Sequence, residues 1–236
     1  MGGEKVMALE QIKGKLIVSC QALPHEPLHS SYIMSRMAVA AMEGGAAGIR
    51  AQSAEDINAI AQVCPLPIIG IVKRNYDDSD IYITPTMKEI EELLSTRAEI
   101  IAMDATCRKR PGGVLTKDLV DRVHEAGRLA MADCSTFEEC LAAQETGFDI
   151  VSTTLSGYTE YSPKLEGPDF DLIRRCADEL SVPVIAEGRI HYPEELKMAF
   201  ECGAFSAVVG GAITRPQEIT ARFVSSIAKD PSGGRG

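Results

Sequence analysis

Val184-Ile185-Ala186-Glu187-Gly188-Arg189-Ile190 reads as a short apolar strand running into a carboxylate, a glycine and an arginine. Downstream, Ala207-Val208-Val209-Gly210-Gly211-Ala212-Ile213-Thr214 repeats the strand-to-glycine pattern. A strand that is apolar without alternation is buried on both faces, as in a parallel sheet covered by helices. Taken as successive strands of one parallel barrel, the two segments put a phosphate cradle and an acid at the same mouth.

Working outward, the same unit recurs. Strand-like runs fall at 15–20, 48–51, 68–73, 100–106, 129–133, 149–154, 184–186 and 207–209. Between them lie helical stretches at 31–43, 54–64, 87–96, 116–125, 137–145, 169–180 and 193–201, several of which stop at glycine. Arg215-Pro216 opens a final helix with proline in a favoured first-turn place. Eight strand-then-helix units predict an α/β fold, a single (β/α)8 TIM barrel over residues 1–229, with a flexible polar tail at 230–236. A doubly wound open sheet is the alternative, but it often advertises a G-x-G-x-x-G turn, and none occurs here. Residues 7–12 are expected to form a short helix plugging the N-terminal face. Residues 74–86 break the rhythm. They are expected to form a hairpin over the mouth, either a lid or a plain surface insertion.

The 236 residues and 45% apolar content suit one barrel-sized core. A net charge of −10 argues against nucleic acid or an anionic membrane as partner. No Trp and few aromatics argue against a stacking platform for bases or sugars. Seven scattered cysteines with no C-x-x-C pair read as reduced thiols. With no signal-like opening and no membrane-length apolar run, the expected location is the cytoplasm.

Catalytic groups of such barrels project from the C-terminal strand ends. Those ends read Gln21, Arg50, Lys73, Asp104, Asp133, Thr153, Glu187 and Gly210. Charged groups there must pair, stay wet or bind something. Lys73 reads as a base or Schiff-base nucleophile, or as a lysine reaching solvent past its strand. Glu187, before a glycine that permits close ligand approach, reads as an acid–base group or as the ion-pair partner of Arg50 or Arg189. Asp104 and Asp133 read as structural carboxylates holding Arg50 or Lys73. Arg50 reads as an interior ion pair or a substrate clamp. The glycine turns around Gly188-Arg189 and Gly210-Gly211 match the place where many barrels bind phosphate through backbone N–H groups, with charge from Arg189 and Arg215. Arg108-Lys109-Arg110 reads as a solvated turn, the alternative being assistance to an anionic ligand. No histidine or carboxylate spacing suggests a metal: His25 and His29 are separated by Pro27, which breaks a helix.

Together the motifs Ser19-Cys20-Gln21-Ala22, Gly48-Ile49-Arg50-Ala51, Gly70-Ile71-Val72-Lys73-Arg74, Asp104-Ala105-Thr106, Ala132-Asp133-Cys134-Ser135, Thr153-Thr154-Leu155-Ser156-Gly157-Tyr158, Ala186-Glu187-Gly188-Arg189 and Gly210-Gly211-Ala212-Ile213-Thr214-Arg215-Pro216 resemble the N-acetylmannosamine-6-phosphate 2-epimerase family. The resemblance runs from about residue 14 to 223. It implies inversion of C2 of a phosphorylated N-acetylhexosamine in bacterial sialic acid breakdown, with no metal or organic cofactor. It implies Lys73 and Glu187 as the catalytic pair and Gln21, Arg50, Asp133 and Arg215 around the sugar. Gly188, Arg189, Gly210 and Gly211 are then implied around the phosphate, and the resemblance also implies a homodimer. Two other readings are a Schiff-base aldolase using Lys73, and a phosphosugar-binding protein without turnover.

Overall fold

In a computed structural model that describes residues 2–227, every expected strand forms. The strands are β1 (Leu16–Cys20), β2 (Gly48–Gln52), β3 (Ile68–Ile71), β4 (Ile100–Asp104), β5 (Leu129–Asp133), β6 (Ile150–Ser152), β7 (Val184–Glu187) and β8 (Ser206–Val209). The helices are α1 (Gly2–Ile12), α2 (Ser31–Glu43), α3 (Ala54–Ala61), α4 (Met87–Leu94), α5 (Thr116–Glu125), α6 (Phe137–Thr146), α7 (Phe170–Glu179), α8 (Pro193–Glu201), α9 (Gly211–Thr214) and α10 (Pro216–Ser226). The strands close in sequence order, all parallel, with β8 returning to β1. The chain is therefore a (β/α)8 barrel. The tail expected at 230–236 lies outside the described residues.

The strand period of two sorts the side chains into two apolar layers. Ile17, Ile69, Ile71, Ile100, Ala102, Met131, Ile150, Ile185 and Val208 fill the inside of the barrel. Their neighbours Val18, Ile49, Ile68, Ile101, Ala130, Ala132 and Val151 pack outward against the helices. Ile12 of α1 joins the inner layer at 1% exposure, so the N-terminal helix closes the bottom as expected. The helices start where a side chain caps them. Ser30, Thr86, Thr136 and Asp169 each accept a backbone N–H in the first turn, and Thr86 and Thr136 complete capping boxes with Glu89 and Glu139.

The segment after β3 folds back as a hairpin, with antiparallel bridges Lys73 to Ile83 and Tyr76 to Ser79. Its inner edge is anchored: Ile81 and Ile83 are buried, and the Asp104 N–H donates to the Ile83 carbonyl. This corrects the option of a plain surface insertion, since Tyr82 and Ile83 become part of the cavity wall. Arg108-Lys109-Arg110 is also not the solvated turn expected. Arg110 is buried and donates to the carbonyls of Thr84, Pro85 and Asp104, tying the hairpin to the end of β4. Arg108 pairs with Asp104 at 2.6 Å, and only Lys109 points to water.

Candidate active site

Parity carried on past the strand ends decides which polar groups face the barrel axis. Residues 17, 69, 100, 129, 150 and 185 point inward, so Gln21, Lys73, Asp104, Asp133, Thr154 and Glu187 continue the same face. Of these, Gln21, Lys73, Thr154 and Glu187 line a cavity of about 830 Å³ at the C-terminal mouth. Its walls include Gln21, Arg50, Lys73, Tyr82, Thr154, Glu187, Gly188, Arg189, Gly210, Gly211 and Arg215. Lys73 follows β3 and Glu187 ends β7, four strands apart in a ring of eight, so they face one another across the opening.

Arg50 is the hub of the floor. From β2 its guanidinium reaches the Asp133 carboxylate through two parallel hydrogen bonds, of 3.0 and 2.6 Å, and Glu187 Oε2 at 2.7 Å. Arg50 is 1% and Asp133 0% exposed, so this cluster is removed from water. Two carboxylates hold the arginine charged, well above its ordinary range despite burial. Asp133 is not on the cavity wall. It stands behind Arg50, so its expected place beside the sugar is corrected to a partner of Arg50, which was the alternative reading. Asp104 holds Arg108 and Thr106, and neither Arg50 nor Lys73.

The catalytic candidates are both displaced from their ordinary titration. Burial, then the positive charges of Arg50 and Arg215, lowers Lys73 to about 8. Its ammonium has no hydrogen-bond or ion-pair partner among the described residues. Burial raises Glu187 to about 7, against the pull of Arg50 and with a push from Asp133. Two groups that titrate within the physiological range across one cavity can exchange protons with a ligand held between them.

At the β7 and β8 ends the backbone is laid bare. Gly188 has φ 113°, which glycine alone adopts without strain, and Arg189 follows at φ 55°. Among the described residues, the N–H groups of Gly188, Arg189, Gly211 and Ala212 donate to no protein acceptor. Arg189 turns its guanidinium away, donating to the carbonyls of Ser156 and Gly167 and lying 5.6 Å from the centroid of the Tyr158 ring. Its charge fastens the β6–α7 loop, so what it offers a ligand is its backbone. Arg215 is held between Glu26, at 2.9 Å, and Glu218, at 3.2 Å.

Gln21 donates to Ser19 Oγ, while its Oε1 is buried with no partner. A donor on a ligand in the cavity would satisfy it. Sequence reading missed Tyr82, Thr154, Glu26 and Glu218. Tyr82 sits in an excursion with no barrel period, and Glu26 is paired with a residue far along the chain. Thr154 carries no chemical signal of its own: only the inner-face register, with Ile150 and Ser152 ahead of it, separates it from Thr153, which points outward and donates to the Glu187 carbonyl.

The comparison with known proteins decides the family. A family profile described as "Putative N-acetylmannosamine-6-phosphate epimerase" (NanE) matches residues 34–229. The chain belongs to the NanE family. A NanE relative from Clostridium perfringens strain 13, named "Putative N-acetylmannosamine-6-phosphate 2-epimerase", is 65% identical over 215 residues, covering 91% of this chain and 97% of that one. A Clostridioides difficile protein of the same name is 60% identical over 219 residues, covering 93% and 98%. The solved N-acetylmannosamine-6-phosphate 2-epimerase of Clostridium perfringens superposes with a TM-score of 0.92 at 63% identity, over 93% of this chain and 96% of that one. A thiamine phosphate pyrophosphorylase from Pyrococcus furiosus, at 14% identity and TM-score 0.59, shares the barrel alone.

Proposed function

We propose that this NanE-family chain inverts C2 of N-acetylmannosamine 6-phosphate, giving N-acetylglucosamine 6-phosphate, in bacterial amino sugar and sialic acid breakdown. The observation that carries the mechanism is the placement of Lys73 and Glu187 on opposite strands of one cavity. Inversion needs a proton taken from one face of C2 and another returned to the opposite face. The C2 proton is acidic only beside a free C1 aldehyde, so the sugar ring opens first. With a single proton shared by the pair, neutral Lys73 and protonated Glu187 run the exchange one way. Ammonium and carboxylate run it the other way. In this reading Arg50 and the Gln21 amide N–H supply hydrogen bonds to the developing enolate oxygen, and Asp133 holds Arg50 in place.

The phosphate is held at the far end by the backbone of Gly188, Arg189, Gly210 and Gly211, with Arg215 shared between the anion and its two carboxylates. Binding there positions a sugar whose chemistry occurs elsewhere. Proton transfer of this kind is within the reach of these side chains, with no metal or organic cofactor. The fold unit is one catalytic domain over residues 1–229, and no nucleic acid partner is implied by the net charge of −10. Among the described residues no helix is long and apolar enough to cross a membrane, and all seven cysteines are free, which supports a cytoplasmic location. The exposed apolar face of α10 supports a homodimer.

Proton NMR in D2O tests the reaction: turnover of either aminosugar phosphate places deuterium at C2. Product that keeps its C2 protium rejects the mechanism. Borohydride trapping of a substrate adduct on Lys73 would instead mark a Schiff-base aldolase.

A further inference from the structure

The two oxygens of Glu187 have different surroundings. Oε2 takes a hydrogen bond from Arg50 at 2.7 Å and lies 3.1 Å from the Thr154 hydroxyl. Among the described residues no donor reaches Oε1, and it is not shut away from solvent. The Thr154 hydroxyl is also 2.8 Å from Asp133 Oδ1 and 2.7 Å from Ser152 Oγ. A hydroxyl has one proton to give. Thr154 Oγ1 has a carboxylate oxygen on two sides, so its proton goes to one of them and Ser152 must donate to Thr154.

Arg50 and Thr154 thus bridge the same two acceptors, Asp133 Oδ1 and Glu187 Oε2, from opposite corners. The arginine charge is fixed, but the threonine proton can rotate. We propose that Thr154 is a positioning residue for Glu187: its hydroxyl, with Arg50, occupies Oε2 and confines the exchangeable proton to Oε1, the oxygen that faces the cavity. The inference rests on the acid–base reading of Glu187 given above. When Glu187 is ionised, Thr154 turns its proton to Oε2 and shares the new charge. When Oε1 is protonated, the threonine proton returns to Asp133. In the reprotonating step the Oε1–H bond breaks, the C2–H bond forms, and the electron pair left on the carboxylate is met by this rotation. The reorganisation is one hydroxyl turn between two carboxylates, with no heavy atom moving. Removing the hydroxyl takes away a hydrogen bond that favours the charged carboxylate, so Glu187 holds its proton to higher pH.

The experiment compares wild type, Thr154→Val and Thr154→Ser. C2 proton exchange in D2O and the pH profile of kcat/KM are both read with N-acetylmannosamine 6-phosphate. For Thr154→Val, kcat is expected to fall roughly tenfold or more while KM stays within about twofold. The acidic limb is expected to move up by about half a pH unit to one unit, and Thr154→Ser is expected to restore both. An unmoved limb in Thr154→Val, or a serine variant no better than valine, overturns the proposal. If the valine variant does not fold, Thr154→Ala, which adds no methyl beside the carboxylates, is read the same way against Thr154→Ser. Absence of C2 exchange in the wild type overturns the acid–base reading of Glu187, and this inference with it. Exchange in the wild type with an unmoved limb overturns this inference alone.

Discussion

At the scale of single residues, the site depends on how many protons Lys73 and Glu187 share. Glu187, raised to about 7, binds a second proton below that pH while Lys73 is still an ammonium. Lys73, lowered to about 8, is bare above that pH while Glu187 is already ionised. Only between the two is the one-proton state dominant. The profile of kcat/KM is therefore expected to be a narrow bell with its plateau near pH 7 to 8. Glu187→Gln removes the acidic limb and is expected to lower kcat by about 10²–10⁴-fold, as is Lys73→Ala for the basic limb. Steady-state assays of both variants across pH check this, and a profile flat from pH 5 to 10 would contradict the shared-proton scheme. Both residues were legible because a charged group ending a run of buried apolar residues has few reasons to be there. Thr154 was not, because a threonine is ordinary at a strand end and only the inner-face register distinguishes it from Thr153. Asp133 was legible as important, but which neighbour it serves depends on a guanidinium reaching across the barrel from β2.

At the scale of elements, the eight strands were legible as unbroken apolar runs, because a parallel strand covered on both faces has no polar side to display. What escaped was shorter than a period. α9 is four residues long and carries no pattern that separates a helical turn from a glycine loop. Arg110 sits in a basic run that reads as surface, and only the carbonyl groups at the end of β4 and in the hairpin reveal a buried anchor. The close approach of helix to strand is a further property of elements. Gly70 of β3 lies against α3 and α4: a Cβ there would meet Ala98 Cβ at 2.8 Å, Ile57 Cδ1 at 3.0 Å and Leu93 Cδ2 at 3.1 Å. Gly70→Ala is expected to destabilise the fold by roughly 1–3 kcal/mol through overpacking. Because Lys73 follows two residues after the end of this strand, kcat is expected to fall as well. Urea unfolding and the epimerase assay measure the two effects, and an unchanged midpoint would mean that α3 and α4 can yield by a few tenths of an ångström.

At the scale of the molecule, α10 does not behave like the outer helices before it. Whereas α3, α4, α5, α6 and α7 each bury two or more residues, α10 buries none. Phe223 is 74%, Val224 58% and Ile227 80% exposed. Burying side chains of this kind is worth roughly 1.5–3 kcal/mol each. A twofold partner would cover each of them twice over, once per copy. Each copy carries a net charge of −10, so long-range repulsion opposes association and the apolar contact must supply the attraction. The two terms respond oppositely to salt: screening weakens the repulsion and leaves the apolar contact in place. The chain is therefore expected to sediment as a homodimer that tightens as salt is raised. Phe223→Asp is expected to shift it to the monomer with the barrel still folded, as judged by circular dichroism. Analytical ultracentrifugation over a range of concentrations and salt checks this. A wild type that stays monomeric throughout, or a dimer that loosens with salt, would mean that α10 is not the surface joining two copies.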